Sequence, residues 1–137
     1  MSKTSDSALA IALEIQKRVA ALGFDWPDAT GPRAKVIEEL AELERAAGNA
    51  EKLNEELGDL LFAVVNLARH LDVEPEQALA AANQKFQHRF RYIEQRLATE
   101  GLYPQDVNLA RLDALWNEAK RQKRTVTNPM LPKASDE

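Results

Sequence analysis

The chain has 137 residues, 45% of them hydrophobic and 29% charged, with a formal net charge of −4 and no cysteine. This length and apolar content fit one domain with a real core, and the lack of thiols excludes disulfide and thiolate chemistry. A mildly acidic chain gives no electrostatic reason to bind nucleic acid. No apolar run approaches the ~18 residues of a membrane span or forms a signal peptide, so a soluble, cytoplasmic protein with no membrane partner is expected.

After a polar lead-in, Ile11, Ile15, Val19 and Leu22 recur at helical spacing, and Gly23 provides a stop. GFDWPDATGP follows as a loop dense in glycine, proline and aspartate. Its Phe24 and Trp26 either stack on a nucleobase or plug the end of a helical bundle, plugging being the commoner role for such residues. Thr30-Gly31-Pro32 opens a second helix with a cap candidate and an early proline. Two apolar-periodic segments then meet at Gly48-Asn49, a left-handed helix end followed by a good N-cap, which predicts a short connection and an antiparallel hairpin ending near Leu71. Val36, Leu40 and Leu43 form the expected core stripe of the first arm, and Leu57, Leu60, Val64 and Leu71 that of the second. Asp72 to Pro75 turns the chain into a fourth helix, with Leu79, Ala82, Phe86, Phe90, Ile93 and Leu97 on one stripe. A short fifth helix with Leu109, Leu112, Leu115 and Trp116 follows a cap candidate at Asn108. The stretch from Thr125 has two prolines and no periodicity, and reads as disordered. The expected fold is therefore all-α: an antiparallel helical bundle with a four-helix core and a short C-terminal helix. Residues 1–124 form the domain and 125–137 the tail.

The hairpin carries two pairs of acids, Glu39 and Glu42 on one arm, Glu56 and Asp59 on the other. In each pair the spacing is i,i+3, which puts both acids on one face of a helix, and both pairs flank the core stripe on the same side. At ~1.5 Å per residue, Glu42 and Glu56 lie about 9 and 10 Å from the Gly48 break, and Glu39 and Asp59 about 13 and 15 Å. Four carboxylates thus meet at one level. They would repel strongly without a cation among them, and an all-oxygen ligand set favours Mg²⁺, with Mn²⁺ as the alternative. Lys85 and Arg89 form an i,i+4 cationic pair on the fourth helix, at a height matching the acids if helices three and four are antiparallel. A metal held by acids beside such cations is a polyphosphate site.

Each of these features has a plainer reading. Glu38, Glu44, Glu51 and Glu55 fit a solvated face, and a lone acid pair would carry no metal argument; it is the matched height and angle of two pairs that does. Lys85 and Arg89 alone would be a surface pair. His70 suits the C-terminal end of a helix dipole, and His88 a solvent-facing position.

EELAEL, the later EELGDLLFAVVNLARHL and then NQKFQHRFRYIE resemble the MazG nucleoside triphosphate pyrophosphohydrolases, and GFDWPD resembles the lead-in of the C-terminal domain of two-domain members. The likeness covers nearly the whole ordered chain. It implies an all-α fold, a homodimer or dimer of dimers, and Mg²⁺-dependent hydrolysis of a nucleoside triphosphate to the monophosphate and pyrophosphate, in the service of nucleotide-pool house-cleaning. Carried over position by position, Glu39, Glu42, Glu56 and Asp59 match the metal-binding acids. Lys35, Lys85 and Arg89 match basic residues associated with activity, and Asn83 the asparagine of the NxKF segment. Glu39 is the acid expected to orient or deprotonate water. The chain carries one such domain without a second copy, which separates it from tandem members. Alternative readings are a specialised dUTP/dCTP-type or phosphoribosyl-ATP pyrophosphohydrolase, or a non-catalytic nucleotide-binding module. The wide apolar arc of the third helix, with Leu61, Val65 and Ala68 beyond the core stripe, points independently to a second subunit.

Overall fold

The computed structural model describes residues 6–125 and contains five α-helices and no strand among them. The first, α1 (Ala8–Ala21), starts at Ser7, whose Oγ accepts a hydrogen bond from the Ala10 amide at 3.1 Å and also bonds to Glu76. The second, α2 (Thr30–Arg45), does not use Thr30 as its cap: Thr30 is the first helical residue, and its N–H is taken by Asp28 Oδ1 at 2.9 Å. Gly48 (φ +88°) adopts the left-handed conformation the connection requires. Asn49 then caps α3 (Ala50–His70), accepting from the Lys52 amide at 3.1 Å. Glu74 plays the same part for α4 (Pro75–Ala98), accepting from Gln77 at 2.9 Å. A 3₁₀ turn at Pro104–Asp106 leads to α5 (Leu109–Thr125), capped by Asn108 through the Arg111 amide at 2.9 Å. This last helix has 17 residues and is not short. Its apolar periodicity fades after Trp116, but NEAKRQKR continues with strong helix formers, and propensity extends it. The expected tail lies outside the described residues, except Thr125, which is helical.

The chain divides into two compact units, residues 1–79 and 80–137. In the first, α2 packs against α3 as the antiparallel hairpin the short connection demands, and α1 packs against α3 as well. Gln16 of α1 donates to the Phe62 carbonyl of α3 at 3.0 Å. The buried apolar residues here are Leu13, Ala46, Ala63 and Val65. Val65, assigned from the sequence to an intersubunit surface, is only 1% exposed and belongs to the core of its own chain. Ala63 and Val65 sit about 160° apart around the helix. Val65 shares its side with Phe62 and Arg69, whose partners are Gln16 of α1 and Asp25 of the loop after it. So α3 is covered on two sides from within the chain. Between them runs an open stripe, Leu57, Leu61, Val64 and Leu71, at 46, 52, 43 and 51% exposure. Three of these residues were expected in the core.

In the second unit Ile93 and Leu97 of α4 meet Leu115 of α5, with Phe90, Leu102, Val107, Leu112 and Trp116 packed around them. Arg96 pairs with Glu118 at 3.5 Å and Arg111 with Glu100 at 2.7 Å, pinning the two helices at successive levels. The α4 stripe is buried only over its second half; Leu79, Ala82 and Phe86 are exposed. No helix among the described residues is long and apolar enough to cross a membrane.

Candidate functional site

The hairpin brings three of the four acids together. Glu39 from α2 and Glu56 and Asp59 from α3 each place one carboxylate oxygen within 4.8 Å of the others. Glu39 and Glu56 are buried, at 8% exposure each, and Asp59 opens to solvent. Glu42 stands outside the trio, with a half-exposed side chain 3.8 Å from Arg45. Two full negative charges 4.8 Å apart repel by about 3 kcal/mol at an effective dielectric constant of ~20. Lysines supply part of the compensation. Lys35 Nζ lies 3.2 Å from Glu39 and 3.5 Å from Glu38, and Lys52 Nζ lies 3.4 Å from Glu56. The Glu39 carboxylate holds the Lys35 ammonium above its ordinary pKa, and Glu56, with Glu55 and Glu42 nearby, does the same for Lys52. The donor set is wholly carboxylate oxygen, as a hard divalent cation requires.

Lys52 was not singled out in the sequence, yet its signal was there. It precedes Glu56 by four residues, as Lys35 precedes Glu39. Glu38, Glu44, Glu51 and Glu55 are exposed, as a solvated face requires.

The aromatic loop is tied to the far end of α3. Arg69 grips Asp25 through two bonds of 2.6 and 3.1 Å, and His70 Nε2 donates to the same carboxylate at 2.9 Å. Asn66 braces Arg69 in turn, at 2.7 Å. The Arg69 guanidinium, helped by His70 and the Trp26 amide, holds the Asp25 carboxyl well below the usual carboxylate range. His70 is thus a partner of the loop as well as a residue at a helix end. Trp26 lies against Gly31, where a Cβ would overlap its ring, while Phe24 is 80% exposed.

In the second unit Asn83 and Lys85 are exposed on α4. One turn on, the Arg89 guanidinium lies 5.5 Å from the centroid of the Trp116 ring, and Phe86 meets that ring at 5.0 Å. The Arg89 Nε is buried with no hydrogen-bond partner among the described residues, so stacking on the indole fixes the cation without satisfying it.

Residues 31–93, which carry all four acids, Lys35, Lys52, Asn83, Lys85 and Arg89, match the family model described as the MazG nucleotide pyrophosphohydrolase domain. The chain carries a MazG domain. Among MazG relatives, the nucleoside triphosphate pyrophosphohydrolase/pyrophosphatase MazG of Thermotoga maritima is 44% identical over 113 residues, covering 82% of this chain and 44% of that protein. The nucleoside triphosphate pyrophosphohydrolase of Escherichia coli K12 is 46% identical over 119 residues, 84% of this chain and 45% of that protein. An uncharacterised Bacillus subtilis protein, YabN, is 47% identical over 78 residues, 57% of this chain and 16% of that protein. The chain thus spans less than half the length of the named enzymes it matches. Phe24 and Trp26 precede the segment matched by the MazG model, and Trp116 follows it.

Proposed function

We propose that the chain is a Mg²⁺-dependent nucleoside triphosphate pyrophosphohydrolase of the cytoplasm. It would convert a nucleoside or deoxynucleoside triphosphate and water to the monophosphate and pyrophosphate, as a house-cleaning activity. Residues 1–124 would form the catalytic domain. The observation that carries this reading is the convergence of Glu39, Glu56 and Asp59 in a chain with a MazG domain; the printed names of the relatives supply the substrate class.

Glu39, Glu56 and Asp59 would hold the divalent ion, with Glu42 joining them by a change of side-chain rotamer. Bound there, such an ion lowers the pKa of water and neutralises phosphate charge. Glu39 is buried beside its lysine, and its second oxygen is the candidate to orient the attacking water and take its proton. Lys35 would stabilise negative charge as the α–β anhydride breaks and pyrophosphate leaves; Lys85 and Arg89, on the second unit, are proposed as phosphate-binding cations. Phe24 and Trp26 of the anchored loop would contact the nucleoside, and Asn83 is proposed as a substrate-binding residue of the second unit. The open apolar stripe of α3 supports a homodimer or a dimer of dimers, since a stripe of this kind normally meets a like surface.

The test is product analysis on a panel of NTPs and dNTPs with Mg²⁺. Monophosphate and pyrophosphate are expected, with heavy oxygen from labelled water appearing in the monophosphate. Asp59→Asn should slow turnover by about 100-fold or more while leaving helicity intact. Release of diphosphate and orthophosphate would overturn the reading.

A further inference from the structure

The two arms of the hairpin repeat one arrangement: Lys35, Glu39 and Glu42 on α2, and Lys52, Glu56 and Asp59 on α3, each lysine four residues before its acid. An i,i+4 pair placed to stabilise a helix runs the other way, with the glutamate N-terminal to the lysine. Here both run lysine first. Each lysine lies nearest a buried acid: Lys52 at Glu56, and Lys35 at Glu39, 3.2 Å away, closer than the exposed Glu38 at 3.5 Å. The lysines themselves stay in contact with water, their side chains 43 and 54% exposed. These are not two helix-surface pairs. They are two solvent-exposed cations set on two buried anions.

We propose that Lys35 and Lys52 are built-in counter-cations that compete with the divalent ion for Glu39 and Glu56. The inference rests on the metal reading given above and goes beyond it. Three carboxylates this close need positive charge at all times, or the hairpin is strained apart. The ammonium groups supply it until a divalent ion takes the same carboxylates. The long flexible lysine stems then swing the ammoniums away into solvent, where an incoming polyphosphate finds them free. Metal uptake and polyphosphate binding are thereby positively and reciprocally coupled: each releases a lysine that the other would have to displace.

A lysine that merely oriented its glutamate for the metal would have the opposite signature, because removing it would weaken metal binding. The experiment is Mn²⁺ binding without nucleotide, by calorimetry or by the paramagnetic signal of free Mn²⁺, on wild type, Lys35→Met, Lys52→Met and Lys52→Arg. Each methionine variant should bind Mn²⁺ about two- to fivefold more tightly than wild type, the range set by half-exposed pairs. Lys52→Arg keeps a cation on Glu56 and should stay near wild type. Melting in EDTA reads the same competition from the other side: the methionine variants should melt lower than wild type without metal and gain more on saturation with Mn²⁺. Both lysines are solvent-exposed enough for the variants to fold, and circular dichroism checks this. Equal or weaker Mn²⁺ binding by folded methionine variants would overturn the proposal and leave the metal reading standing. A wild-type chain that took up no Mn²⁺ would overturn both.

Discussion

Asp25 shows how a single side chain fixes a loop that has no regular structure of its own. Two hydrogen bonds from Arg69 and one from His70 converge on its carboxylate, and the charge they favour is the ionised form. Because the folded state depresses the Asp25 pKa, its contribution is complete above the ordinary carboxylate range and is lost as pH falls through and below it. Asp25→Asn should therefore cost about 1–2 kcal/mol at pH 7, discounted for partial exposure. The cost should shrink below a pH of about 4, where the carboxylate begins to protonate in the unfolded chain while the folded one stays ionised. Thermal melts of the two proteins at several pH values check this; a difference that grew as the pH fell would contradict the cause. Gly31 makes the second point at this scale. A methyl group there would overlap the Trp26 ring, so Gly31→Ala should displace the indole and change its fluorescence even if the helices are unaffected. Neither relation was legible in the sequence, where Asp25 is one of two loop aspartates and Gly31 part of a helix start. Both depend on which helix end the loop meets, and periodicity carries no such information.

At the level of elements, the site exists because one turn is unambiguous. Gly48 in the left-handed region and Asn49 at the cap set the length of the connection, and that length sets which acids face each other. Replacing Asn49 by Ala should remove the bond to the Lys52 amide and cost about 1 kcal/mol. A chemical denaturation curve with an unchanged slope and a lower midpoint is the expected result. This part of the fold was readable because it is local: helical spacing, a glycine and an asparagine are all within a few residues of one another. The convergence of Glu39, Glu56 and Asp59 was readable from rise per residue and helical angle together. Glu42 was not, because rise and angle locate a Cα but not the rotamer that turns its carboxylate towards Arg45. Lys52 stands in the same i,i+4 relation to Glu56 as Lys35 to Glu39, so spacing alone carries its signal. The length of α5 exceeds its apolar stripe for a different reason: apolar periodicity marks where a helix is packed, and a helix of good formers runs past the end of that stripe.

For the whole molecule, the breadth of apolar surface on α3 was legible but its partners were not. Sequence measures the arc; it does not divide that arc between α1 and a second subunit. The structure assigns Val65 to the intrachain core and leaves Leu57, Leu61, Val64 and Leu71 open. These two groups give opposite expectations for the same chemical change. Val65→Glu would bury a charge with no partner, which costs several kcal/mol and unfolds the chain or part of it. Its loss of activity would say nothing of assembly. Leu61→Glu places the charge on the open stripe, where a lone chain can solvate it, so helicity and melting of the isolated subunit should hardly change. In the proposed dimer the same charge would face its own copy across a two-fold axis and repel it. Light scattering at micromolar concentration should then give half the wild-type mass for folded Leu61→Glu, with activity lost in step. A wild-type chain that was already an active monomer would remove the need for the partner, and the Leu57–Leu71 stripe would require another occupant.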